Sequence, residues 1–274
     1  MIMIIFNMRS ASSVIGKSYC YLRSLLMAAA LALLPAAAAR ALEAAQLQPR
    51  VTSVAAPRNL LFVGNSYTYY NNSVHGHVRS LAHAADPETR KGVFKSMTIS
   101  GGNLSDHAAG LPAMLKSRKW DVVVLQGQSI EPLPSNARRS DRFRNALRQY
   151  NQWIRDSGAK TALYMTWAYR GRMEMTAPLA EAYVAAGNEV GALVVPVGLA
   201  FERALRARPD LVLHHTDNMH PSMAGTYLAS CVFYAALYGK SPVGNTYTAG
   251  LPRELVEFLQ RTAWDTTQAF YAGR

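Results

Sequence analysis

An α/β fold, a three-layer sandwich around a mostly parallel, doubly wound central sheet, follows from three observations. Short apolar runs rich in Val and Leu recur along the chain, and each is followed by a segment of helical spacing. The runs lack polar alternation, as strands do when helices cover both faces of a sheet. The length of 274 residues suits one such domain behind a leader, and a composition 50% hydrophobic and 17% charged excludes disorder, collagen and coiled coil.

The leader comes first. Arg9, Lys17, Arg23 and Arg40 stand among the first forty residues without one acidic residue. Lys17 and Arg23 precede the run Leu25–Leu34, and small residues continue to Ala39-Arg40-Ala41. A basic region, an apolar core and an A-x-A-like site read as a secretory signal over residues 1–41. Its apolar stretch of fifteen residues falls short of the roughly 18 to 20 that cross a bilayer, so export with cleavage is expected, with no stable membrane span afterwards. Residues 42–58, rich in Ala, Gln, Pro and Ser, read as a linker, and residues 59–274 as the domain. Cys20 leaves with the leader, which makes Cys231, set in an apolar helical pattern, a packing residue and not half of a disulfide.

The elements then follow in order. Asn59–Val63 is a strand closed by Gly64, and Val74–Ala85 a helix. Lys95–Ser100 reads as the second strand, Ser105–Arg118 as a helix and Asp121–Leu125 as a buried strand. Arg139–Asp156 is a helix ended by Gly158, Thr161–Thr166 a strand and Pro178–Asn188 a helix. Leu193–Val197 is a strand whose Pro196 argues for an edge. Helices over Ala200–Ala207, Pro221–Tyr238 and Arg253–Ala269 complete the domain.

In such sheets sites form outside the carboxyl ends of the strands. Gly64-Asn65-Ser66 follows the first strand, Gly101-Gly102-Asn103 the second and Gln126-Gly127-Gln128-Ser129 the third, while Asp217-Asn218-Met219-His220-Pro221 lies near the carboxyl end. Each alone is ordinary turn chemistry. Together they bring a serine, backbone N–H groups and an amide side chain to one crevice. Pro221 keeps His220 out of a helix, so Asp217 can bend back to the His220 Nδ1 proton and leave Nε2 free to take a proton from serine.

These blocks resemble the SGNH hydrolases, the GDSL-type serine esterase and lipase superfamily, in particular a little-studied bacterial branch that has Gly-Asn-Ser in the first block. The likeness runs from Asn59 to about Tyr238 and includes Trp120-Asp121, Leu125-Gln126, His220-Pro221 and Gly225-Thr226-Tyr227-Leu228. The resemblance implies an SGNH or flavodoxin-like sheet and a secreted, periplasmic or extracellular esterase. Ser66 would be the nucleophile, His220 the base and Asp217 its partner, acting through an acyl-enzyme on small-molecule or glycan esters, with acetyl or short-chain esters of carbohydrate as the expected substrates. Two departures stand out. Asn65 replaces the usual Asp, and the Gly-x-Asn-Asp of the third block is missing. In place of that Asn, Gln126 takes the oxyanion role, with Gln128 as the alternative, beside the backbone of Gly101 or Gly102. No metal and no organic cofactor is required. The alternative function is a catalytically weak member that binds glycans or envelope polymers through the same crevice.

Competing readings carry less. His75, His77, His83, His107, His214 and His215 show no zinc-ligand spacing, and Gly101-Gly102-Asn103 is no dinucleotide fingerprint. Tyr67, Tyr69 and Tyr70 either line a sugar or acyl pocket or pack beneath the loop that follows. The net charge of +12 becomes +8 without the leader. The arginines at 138, 139, 142, 144 and 148, and at 203, 206 and 208, fall on predicted helices without aromatic interleaving or a recognition motif, so nucleic acid is not expected as a partner.

Overall fold

The computed structural model describes residues 48–272. The expected signal segment, residues 1–41, lies outside the described residues. The sheet contains β1 (Asn59–Gly64), β2 (Val93–Thr98), β3 (Val122–Leu125), β4 (Lys160–Tyr164) and β5 (Leu193–Val195), in the order β2-β1-β3-β4-β5. Every neighbouring pair is parallel. The helices are α1 (Ser66–Tyr69), α2 (Val74–Ala85), α3 (Leu111–Lys116), α4 (Ala137–Asp156), α5 (Thr176–Val190), α6 (Val197–Ala207), α7 (Met223–Tyr238) and α8 (Arg253–Tyr271), with short 3₁₀ turns at Pro87–Lys91, Leu104–His107 and Met173–Met175.

Alternate strand side chains feed two separate cores. Leu60, Phe62, Val122, Val124, Ala162, Tyr164, Leu193 and Val195 pack with α2, α6, α7 and α8. Leu61, Val63, Val123, Leu125, Leu163 and Val194 pack with α3, α4 and α5 on the other face. A strand that faces helices on both sides has no solvent face, which is why these runs are apolar throughout. The chain moves from β1 outward to β2 and returns across β1 to β3. Between β1 and β3 the winding reverses, and the crevice at that switch point is where an open α/β sheet holds its ligand.

Asp121 anchors the start of the sheet, its Oδ2 accepting the N–H groups of Arg58 and Asn59 at 2.8 Å each. The segment expected as linker is docked where it is described. Asn188 Oδ1 accepts from Arg50 N at 2.7 Å, and Val51 and Val54 pack against the core. Cys231 is fully buried in α7, and burial pushes its thiol up, away from reactivity.

Several expected elements differ in form or bounds. The helix expected over Ser105–Arg118 breaks into a 3₁₀ turn and α3, because Gly110 and Pro112 restart it. The second strand lies two residues earlier than expected, and Gly101 has φ +66 in the turn that follows. Pro221 does not begin α7. It pairs with His214 in an antiparallel bridge, and Ser222 caps the helix by accepting from Gly225 N at 3.1 Å.

Candidate active site

The site is assembled from the turn after β1. Gly64 ends the strand with no room for a side chain, since a Cβ there would sit 2.4 Å from Gln126 Oε1 and 2.6 Å from Thr68 Oγ1. Asn65 caps α1, its Oδ1 accepting from Tyr67 N at 3.1 Å, so Ser66 is the first residue of a helix that begins at the sheet edge. Asn65 also donates through Nδ2 to Gly102 O at 2.9 Å. An Asp here would cap the helix but would have no hydrogen to give to Gly102, so the departure at Asn65 adds a tie to the loop after β2.

Ser66 Oγ lies 2.8 Å from His220 Nε2, and His220 Nδ1 lies 2.5 Å from Asp217 Oδ2. The other carboxylate oxygen of Asp217 accepts the backbone N–H groups of Met219 and His220 at 2.9 Å each. Partial burial opposes the charge on Asp217, yet the Met219 N–H, the His220 ring and the His220 N–H outweigh it and hold the carboxyl down at about 2. Asp217 is therefore ionised across ordinary pH and oriented by three hydrogen bonds. The histidine loop is fixed at both ends: Trp167 Nε1 donates to Met219 O at 3.0 Å, Arg170 N to Asn218 O at 2.9 Å, and His215 N to His220 O at 2.7 Å. Asn218 takes φ +63, a conformation that asparagine tolerates better than most residues.

The remaining predicted residues divide. Gln126 is buried with both amide hydrogens committed, to Asn65 Oδ1 at 2.8 Å and Gly127 O at 2.7 Å, while its Oε1 accepts from Asn65 N and Thr68 Oγ1. Its place in this network is to hold the nucleophile turn, and it has no hydrogen left for an oxyanion. Gly102 N is likewise used, donating to Ile99 O at 3.0 Å to close the turn that Gly101 completes. Among the described residues, no acceptor takes the N–H of Ser66 or of Gly101. Gln128 has its Oε1 held by Arg139 Nη2 at 2.7 Å and gives one amide hydrogen to Ser129 Oγ at 2.9 Å, which leaves the second hydrogen uncommitted.

Sequence reading overlooked Glu131. It is buried, and its Oε2 accepts Leu104 N at 3.0 Å and Gln128 N at 2.9 Å, tying the loop after β2 to the loop after β3. Burial pushes its carboxyl up against the pull of those two N–H groups. The one local signal is an acidic residue between Ile130 and Pro132, which is too weak to mark a buried tether. The tyrosines after Ser66 are not a single group. Tyr67 is buried and stacks on Trp167 at 4.4 Å, while Tyr70 stacks on the His220 ring at 4.2 Å with the planes 9° apart. Among the described residues no three His, Cys, Asp or Glu side chains gather as a metal ion would need.

A serine, a histidine and an aspartate joined in series at the switch point of a parallel sheet define the class, an α/β fold with the geometry of a serine hydrolase. No family model matches the chain, and no curated protein matches its sequence. Solved structures do. A DUF4886 family protein from Bacteroides uniformis superposes with a TM-score of 0.63 at 19% identity over 79% of this chain and 96% of its own. A candidate SGNH hydrolase from Slackia heliotrinireducens gives 0.54 at 26% identity over 65% and 97%. A single-site variant of an acetyl xylan esterase from Geobacillus stearothermophilus gives 0.52 at 17% identity over 72% and 99%. The chain has the SGNH hydrolase fold.

Proposed function

We propose that the protein is an exported serine esterase that removes acetyl or other short acyl groups from carbohydrate. One observation carries the reading: the unbroken line Ser66 Oγ, His220 Nε2, His220 Nδ1, Asp217 Oδ2, with spacings of 2.8 Å and 2.5 Å. Ser66 attacks the ester carbonyl as His220 takes its proton, and the ionised Asp217 steadies the imidazolium that forms. The tetrahedral oxyanion is received by the N–H groups of Ser66 and Gly101 and by the free amide hydrogen of Gln128. His220 then returns the proton to the leaving alcohol, and water repeats the sequence on the acyl-enzyme. The acetyl xylan esterase likeness supports carbohydrate esters as the substrate class, and the basic, apolar, small-residue order of residues 1–41 supports export.

The test is labelling with a fluorophosphonate probe beside hydrolysis of p-nitrophenyl acetate and a panel of acetylated sugars. Wild type should label and hydrolyse, and Ser66→Ala should do neither. Equal labelling of the two would overturn the assignment.

A further inference from the structure

Directly behind the nucleophile helix the backbone runs through three consecutive left-handed residues, none of them glycine: Asn71, Asn72 and Ser73, with φ of 50°, 67° and 71°. Such conformations are costly and persist only where the surroundings hold them. Here Ser73 Oγ donates to Thr68 O at 3.0 Å, and the Asn71 carbonyl accepts from His77 Nε2 at 2.6 Å, with Tyr247 OH 2.7 Å from the other nitrogen of that ring. The strained turn and the residue just before it each send a side chain toward the histidine loop. Asn71 Nδ2 gives both hydrogens away, to Pro221 O at 2.9 Å and to Thr226 Oγ1 at 2.8 Å. Tyr70 lays its ring parallel to the His220 imidazole.

Resting on the esterase reading above, we propose that Tyr70 and Asn71 are positioning residues for His220. The nucleophile's own helix then carries the support of its base: Ser66 at its start, the ring that sets the imidazole plane one residue past its end, and the amide that fixes the carbonyl of Pro221 one residue further on. Serine and histidine lie 154 positions apart in sequence, and their 2.8 Å spacing is referred to one rigid turn. Asparagine suits position 71 twice, because it tolerates a left-handed backbone and has two amide hydrogens. The face of Tyr70 toward the imidazole also attracts the ring most when it is charged, as it is while serine attacks.

The experiment compares Tyr70→Leu, Tyr70→Phe and Asn71→Asp in the full chain by steady-state kinetics on p-nitrophenyl acetate. It also records the low-field proton signal of the His220 Nδ1–H bonded to Asp217, which needs no substrate. Asn71→Asp keeps the shape and removes both donors; Tyr70→Phe keeps the ring. The expected result is a fall in kcat of about 10- to 100-fold in Asn71→Asp and about 10-fold in Tyr70→Leu, with KM within about two-fold, since small misplacements of a reacting group cost rates of this order. The low-field signal should broaden or vanish in both, and Tyr70→Phe should regain what Tyr70→Leu loses. A wild-type signal and kcat in Tyr70→Leu and Asn71→Asp would overturn the proposal, as would a rise in KM at constant kcat. If Asn71→Asp does not fold, the Tyr70 pair decides. If wild type shows no Ser66-dependent hydrolysis, the esterase reading fails, and the proton signal still decides whether the two residues hold His220.

Discussion

Gln126 and Gln128 sit two residues apart with opposite commitments, and substitution separates them. Gln128→Ala removes the amide with a free hydrogen, so kcat should fall about 10²- to 10³-fold, as when one oxyanion donor is lost, with a smaller loss of stability than in Gln126→Ala because its partners Arg139 and Ser129 are only part-buried or keep another bond. Gln126→Ala instead takes the acceptor from Asn65 N and from the Thr68 hydroxyl in a buried turn. That should cost about 1 to 3 kcal/mol of stability, measured by urea unfolding. A reversed pattern would return the oxyanion role to Gln126. Asp217 gives a pH signature. Its folded carboxyl is held at about 2, below the ordinary value of 3.8, so the stability it contributes is present above about pH 4 and is lost as pH falls from there toward 2. Asp217→Asn should therefore melt below wild type at neutral pH, and the difference should close between about pH 4 and 2 in a thermal-shift series. A gap that stays constant to pH 2 would mean that Asp217 does not act through its charge.

Among the elements, Gly64 is the residue where strand, turn and site meet. A methyl group there would press on Gln126 Oε1 and Thr68 Oγ1, both locked in hydrogen bonds, so Gly64→Ala should cost about 1 to 3 kcal/mol by overpacking and lower labelling at Ser66 in the same variant. Unchanged unfolding and labelling would show that the turn yields. The strands and long helices were legible in sequence because their periodicity is local: α2 begins and ends where its apolar spacing does, and Pro196 closes edge strand β5. What was not legible depended on contacts distant in sequence. The break before α3 could be read from Gly110 and Pro112, yet the pull of Pro221 into a bridge with His214 needed the folded loop. In the same way Ser66, Asp217 and His220 carry chemistry in their residue types and spacing. Gln126 and Glu131 show their work only once three loops converge, because hydrogen bonds reaching across 61 and 27 positions leave no periodic trace.

At the scale of the whole molecule the question is what the positive charge does. Some basic side chains of the domain are paired on its surface: Arg144 and Arg148 bond to Glu189, Arg206 to Glu202 and Arg208 to Glu254. These exposed pairs contribute little stability each, about 0 to 1 kcal/mol, but they weaken locally the field that a bare row of arginines would project. Arg139 is spent on Gln128 inside the site loop. The four cations of residues 1–41 have a different setting, ahead of and just after an apolar run in a segment that itself contains no acidic residue. A cluster of that kind fits the orientation of a signal at an inner membrane face better than any role in the domain. Expression of the full chain in a Gram-negative host should therefore yield periplasmic protein whose first residue is near Leu42, with a net charge near +8. Recovery of the intact 30.0 kDa chain from the cytoplasm alone would reject export and return those four charges to the working protein.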